Sequence, residues 1–213
     1  MRYFNFIFDL DGTLVDSFKD VKDSLVKAYK DNGVTDDVLV RETDLGPPII
    51  DMIKKITPSV DPELADKIAL RYRHFYVTEG YINTKLYPGV RETLTEIKRI
   101  GCKLFLATNK PYVQTRAIVK KLKIDMFDDV LCPDSQDGLK FSKIQMLDRI
   151  IKNFELKKYE TVFVGDAYTD IFAAQHNNID SIAVSYGYSD TDELFKSNPT
   201  YTIDKFSELQ KFI

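Results

Sequence analysis

Five short apolar runs set the pattern of this chain: Tyr3–Phe8, Lys103–Ala107, Val130–Cys132, Thr161–Val164 and Ser181–Val184. Their length and their lack of a polar alternation suit strands buried on both faces of a parallel sheet. Most are separated by segments of helical period. Val90, Leu94 and Ile97 recur at four and three residues, and Ile118 and Leu122 at four. Strands alternating with helices predict an α/β fold, a Rossmann-like parallel sheet with helices on both faces and right-handed crossovers. Ligands of such sheets sit beyond the carboxyl ends of the strands, so the polar residues that follow each run are the candidates for chemistry.

The alternation fails between about Val15 and Leu86. Val21/Leu25/Ala28, Ile49/Ile53 and Leu64/Ile68/Tyr72/Phe75 give helical repeats there, and no strand is read. A helical insertion directly after the first strand predicts a small α-helical cap over the active end of the sheet. The expected division is a core of residues 1–15 and 87–213 and a cap of residues 16–86. Its joints fall near Val15–Ser17 and at Tyr87-Pro88-Gly89, where Pro-Gly punctuates the chain. A length of 213 residues accommodates a medium domain carrying a small second one.

Composition narrows the partners. The net charge is −3, and the most basic segment, Lys110–Lys123, reads as the solvated side of a helix, so no nucleic-acid face is expected. Cys102 and Cys132 lack metal-type spacing and read as buried thiols in a reducing compartment. The run at the N-terminus is too short and too polar for a signal peptide or a membrane span, so a cytoplasmic protein without membrane contact is expected.

The residues after the strands carry the chemistry. Asp9-Leu10-Asp11-Gly12-Thr13 follows the first run at once. Acids two apart on a continued strand lie on one side, and their repulsion calls for a cation or a shared proton. One can serve as nucleophile and metal ligand, the other as general acid and base, with Gly12 turning the chain beside a ligand. A plain acidic turn competes with that reading, since Asp-Gly is a common turn pair. Thr108-Asn109 ends the second run and offers a hydroxyl and an amide to a phosphate oxygen, or else caps a helix before Pro111. In Val164-Gly165-Asp166-Ala167-Tyr168-Thr169-Asp170, Asp166 lands at a strand end and Asp170 one helical turn later. Either acid alone is explained by the helix dipole; both at another strand end are not. Oxygen ligands from Asp9, Asp11 and Asp166 suit Mg²⁺ better than zinc. Lys140 and Lys143 precede or open the next helix, and either is a candidate for the fixed charge that stabilises a phosphoryl group in transit.

In order and strand context these features resemble the haloacid dehalogenase superfamily, whose phosphatases the chain resembles from end to end. The resemblance implies that Asp9 forms an aspartyl-phosphate and that Asp11 is the acid/base. It also implies that Mg²⁺ is held by Asp9, the Asp11 backbone carbonyl and Asp166, that Thr108 and Asn109 (with Gly12 beside them) bind phosphate, and that Asp170 supports the metal or the lysine. Leu14-Val15-Asp16-Ser17, Tyr87-Pro88-Gly89-Val90, Thr108-Asn109-Lys110-Pro111 and Tyr186-Gly187-Tyr188 are similar to the phosphoglycolate-phosphatase branch. That branch commonly carries Lys-Pro-x-Pro; Lys140-Phe141-Ser142-Lys143 lacks both prolines, and spacing favours Lys143 with Lys140 as the alternative. The substrate implied is a small phosphate ester, and a monomer or a homodimer is expected. A β-phosphoglucomutase-like mutase is disfavoured because Leu45-Gly46-Pro47-Pro48 lacks the serine and arginine of the mutase loop. Pyrophosphatase and 5′-nucleotidase activities stay open. The alternatives outside enzymes are a catalytically silent binding protein and a receiver-like module. Lys54, Lys55, Arg71, Arg73 and His74 read as solvated cap residues, and His176 as structural.

Overall fold

The computed structural model describes residues 3–34, 38–78, 80–136 and 138–213. Among these, six strands form one sheet in the order β5-β4-β1-β6-β7-β8. They are β1 (Asn5–Phe8), β4 (Lys103–Ala107), β5 (Asp129–Leu131), β6 (Thr161–Gly165), β7 (Asp180–Val184) and β8 (Tyr201–Ile203). Every neighbouring pair is parallel. The helices α4 (Val90–Arg99), α5 (Tyr112–Lys121), α6 (Lys143–Asn153), α7 (Tyr168–His176) and α8 (Thr191–Lys196) fill the connections.

The strands read as continuous apolar runs because successive side chains enter two different cores. Phe6, Phe8, Leu104, Leu106, Val162 and Val164 face one cluster with Val90, Leu94 and Ile97 of α4. Ile7, Phe105, Ala107 and Phe163 face the other, with Met146, Leu147 and Ile150 of α6 and Ala173 and Ala174 of α7. Period-2 alternation between two apolar layers leaves no polar face to mark the strand. The strand bounds differ from the apolar runs by one or two residues: β1 starts at Asn5 rather than Tyr3, β5 covers Asp129–Leu131 rather than Val130–Cys132, and β6 extends to Gly165. The sixth strand, β8, is a three-residue edge without an apolar run.

The strandless reading of the stretch from Val15 to Leu86 is corrected at both of its ends. There β2 (Val15–Asp16) and β3 (Lys85–Leu86) pair antiparallel, Val15 with Leu86 and Asp16 with Lys85. The chain leaves and re-enters the sheet at one point, so the two linkers lie side by side and satisfy each other's backbone groups. Between them α1 (Phe18–Asp31), α2 (Ile49–Ile56) and α3 (Pro62–Thr78) pack around Leu25, Tyr29, Ile53, Ile68 and Tyr76, a core of their own. Asp20 of α1, 4% exposed, accepts from the backbone N–H and amide of Asn83 and from the N–H and hydroxyl of Thr84. It ties the start of the insert to its end.

Both cysteines are buried thiols, with Cys102 Sγ 3.7 Å from the Tyr3 carbonyl it donates to. Among the described residues no helix is long and apolar enough to cross a membrane.

Candidate active site

Because β4, β1 and β6 are adjacent and parallel, their carboxyl ends open onto one place. Asp9 directly follows β1, and its N–H donates to the Val164 carbonyl at 2.9 Å, which seats it beside the tip of β6. Asp166 follows β6. Asp170, in the first turn of α7, accepts from the Ala167 N–H at 3.1 Å, so it caps its own helix while facing inward. Lys143 opens α6. Ser142 accepts from the Gln145 N–H, and the Gln145 side chain accepts from the Ser142 N–H, a reciprocal cap that fixes where the helix begins. From there Lys143 Nζ reaches Asp9 Oδ1 at 2.5 Å and Asp170 Oδ1 at 2.9 Å. Lys140 is exposed.

Asp9, Asp166 and Asp170 each offer a carboxylate oxygen within 4.8 Å of the other two, and all three residues are buried. Burial, with Asp170 and Asp11 nearby, pushes the Asp9 carboxyl up from 3.8 to about 7 despite the lowering effect of Lys143. Burial and then Asp170 and Asp9 drive Asp166 well above the carboxylate range. Desolvation would lower Lys143, but Asp170 and Asp9 outweigh it and hold the ammonium charged. The space around Asp166 depends on glycine. Gly12 has φ +82°, and a Cβ there would lie 2.3 Å from Asp166 Oδ2; at Gly187 it would lie 2.2 Å from Asp166 Cβ. Thr13 Oγ1 and the Tyr188 N–H donate to the two Asp166 oxygens at 3.2 and 2.8 Å.

The side chain of Asp11 is not one of the three clustered carboxylates. β1 ends at Phe8, and the Leu10 carbonyl accepts from the N–H groups of Thr13, Leu14 and Val15 in a tight turn. After that turn the Asp11 carboxylate meets partners of its own. Its carboxylate takes Lys110 Nζ at 2.8 and 3.0 Å and the Ser17 hydroxyl at 2.5 Å. The Asp11 side chain thus lies apart from the cluster of Asp9, Asp166 and Asp170. Lys110 is a second correction. It is not solvated but 8% exposed, its Nζ 4.7 Å from the centre of the Tyr76 ring of α3. Its signal lay in its position: it belongs to the loop at the tip of β4, ahead of the helix.

Thr108 is buried, and its hydroxyl accepts from the Lys110 N–H at 3.2 Å. The N-cap of α5 is Pro111, so neither Thr108 nor Asn109 caps that helix. Asn109 donates its amide to the Gly46 carbonyl of the helical insert at 3.1 Å. The other candidates stay with the surface: Lys54, Arg73, His74 and His176 are exposed, Lys55 donates to the Thr43 carbonyl, and Arg71 pairs with Asp31.

The arrangement can hold a hard cation among carboxylates beside a lysine. Known proteins resemble the chain over nearly its whole length. The family described as haloacid dehalogenase-like hydrolase matches residues 6–184. A phosphoglycolate phosphatase of Vibrio vulnificus is 32% identical, over 95% of this chain and 92% of its own. A 5′-nucleotidase of Pseudomonas aeruginosa is 27% identical, over 100% of this chain and 96% of its own. Among solved structures, a protein of Clostridium acetobutylicum described as a predicted phosphatase superposes with a TM-score of 0.87 at 27% identity, covering 99% of this chain and 98% of that one.

Proposed function

The chain belongs to the haloacid dehalogenase-like hydrolases, and from that premise we propose that it is a Mg²⁺-dependent phosphomonoesterase that passes the phosphoryl group through Asp9. One observation carries the reading. Among the described residues, the buried carboxylates of Asp9, Asp166 and Asp170 face a single ion-paired lysine, Lys143. Fully ionised, three carboxylates against one ammonium would carry a net charge of about −2, which one divalent cation offsets, and an all-oxygen donor set fits Mg²⁺. Asp9 and Asp166 would hold the ion, with the Asp11 backbone carbonyl as the further ligand the family implies. When bound, Mg²⁺ supplies positive charge that offsets both the carboxylates and the phosphate oxygens.

The chain's own residues divide the remaining work. Asp9 offers a carboxylate oxygen to phosphorus, forming one P–O bond as the bond to the leaving oxygen breaks. Lys143 favours the ionised form of Asp9 against the effect of burial and faces the oxygens of the group in transit. Thr108 and Asn109 at the tip of β4 bind phosphate oxygens, and Gly12 gives the chain room to turn beside them. Asp11 donates the proton to the leaving oxygen and later takes one from the water that cleaves the aspartyl-phosphate. The oxygen that carries the proton must be free of Lys110, while the other can keep a partner. Residues 16–86 act as a cap over a core of residues 1–15 and 87–213, closing about the β2–β3 ribbon to exclude water. The separate core of α1–α3 and the two linkers side by side support that division.

The name of the Vibrio relative supports a small phosphorylated metabolite as substrate, and that of the Pseudomonas relative supports a nucleoside monophosphate as the second choice. A screen with Mg²⁺ over phosphoglycolate, nucleoside monophosphates, pyrophosphate and glucose 1-phosphate, ranked by kcat/KM, decides between them. Inorganic phosphate release that EDTA silences and Mg²⁺ restores is expected. Metal-independent turnover, or isomerisation of glucose 1-phosphate without phosphate release, contradicts the reading.

A further inference from the structure

The loop after β7 touches the Asp166 carboxylate and both linkers of the helical insert within three residues. Tyr186 donates its hydroxyl to the Thr13 carbonyl at 2.9 Å, and its ring lies 4.7 Å from that of Tyr87 in the returning linker. Gly187 leaves the space that Asp166 occupies. Tyr188 donates its backbone N–H to Asp166 Oδ2 at 2.8 Å. The hydroxyl of the same residue accepts from the Ser17 N–H at 2.6 Å in the outgoing linker and lies 3.4 Å from Asp16 Oδ1. Its ring, 4% exposed, packs into the core of α1–α3 and lies 6.5 Å from that of Phe18. Tyr188 is therefore a residue of the loop at the tip of β7 whose side chain belongs to the insert.

We propose that Tyr188 is a positioning residue that couples occupancy of the Asp166 cation site to the placement of the helical insert. This rests on the cation site proposed above and goes beyond it. A carboxylate oxygen has lone pairs for both a cation and an N–H donor. An ion that immobilises the Asp166 carboxylate therefore immobilises the Tyr188 backbone, as the partners of metal ligands commonly fix and are fixed by the site. The rigid phenol carries that constraint to the Ser17 N–H. Because the Ser17 hydroxyl holds Asp11, the same linker responds at its other end. The coupling needs no contact between the ion and the insert, only a different population of linker positions with and without the ion.

Tyr188→Phe removes the hydroxyl and keeps both the ring and the backbone N–H. Amide exchange of residues 15–18 is measured with and without Mg²⁺ in both proteins, alongside calorimetric Mg²⁺ binding and turnover of p-nitrophenyl phosphate. In the wild type, Mg²⁺ is expected to slow exchange of the Ser17 amide. In the variant, Mg²⁺ is expected to bind within about threefold of wild type while the slowing disappears. Its kcat is expected to fall about tenfold, the scale of one hydrogen bond, with KM little changed. Equal slowing in both proteins overturns the proposal, as does a wild type that binds Mg²⁺ with no response at Ser17. A folded wild type that binds no Mg²⁺ overturns the cation site itself, an outcome distinct from a bound ion that fails to signal.

Discussion

Lys143 sits between two carboxylates, its side chain 8% exposed, with Asp9 and Asp170 exposed to 10% and 1%. Removing one partner of such a group strands the others without water. Lys143→Met is therefore expected to cost about 3–5 kcal/mol in stability in metal-free protein. Lys140→Met, on the surface, should stay within about 0.5 kcal/mol; urea unfolding of the two variants makes the comparison. Asp9→Asn keeps the shape of the side chain but is a poor nucleophile, and steady-state phosphate release should fall by at least about 10⁴-fold. Asp9 and Asp166 could be found in the sequence because each is the first acid after a buried run, and adjacent parallel strands bring their ends together. The direction of Asp11 could not, because three N–H groups converging on the Leu10 carbonyl set it, and no spacing rule describes that turn. Lys110 was hidden for a related reason: a basic stretch gives the same charge pattern whether its first lysine lies on a helix face or in the loop that precedes it.

At the scale of elements, the insert hangs from two short linkers made into one ribbon by the β2–β3 pair and by Asp20. Burial alone would raise the Asp20 carboxyl, but the hydrogen bonds from Thr84 and Asn83 outweigh it and hold it below its ordinary range. Its contribution is accordingly present above the unfolded value of 3.8 and lost as pH falls through the lower folded one. Asp20→Ala leaves the Asn83 and Thr84 donors without their acceptor, at a cost of about 1–3 kcal/mol. Hydrogen exchange should report faster opening at residues 83–84 than in the wild type, with the sheet amides little changed. The helices of the insert were legible from their apolar repeats, since Val21, Leu25 and Ala28 all reach its core. The ribbon was not: two residues are too few to show a period, and their pairing is non-local. The same limit hid β8, an edge strand in which Tyr201-Thr202-Ile203 offers no apolar run.

For the whole molecule, the acid cluster makes stability depend on pH and cation together. The Asp9 carboxyl is raised from 3.8 to about 7, so metal-free native protein holds a proton that the unfolded chain releases between those values. Stability from this group is complete below about pH 4 and is lost as pH rises through about 7. Mg²⁺ binding to the ionised site reverses the loss. At a concentration of about 100 Kd it adds about 2.7 kcal/mol, or roughly 5–10 °C in Tm for a chain of this size. Thermal melts should show that gain larger at pH 8 than at pH 6, because protons compete with the ion. The most direct measurement is a crystal structure grown with Mg²⁺ and beryllium fluoride, a mimic of the phosphoryl group. The result expected is one ion bound by the carboxylates of both Asp9 and Asp166, with beryllium on Asp9 and Lys143 against the fluorines. An ion that leaves either carboxylate unbound, or a fluoride adduct on any residue other than Asp9, would contradict the account.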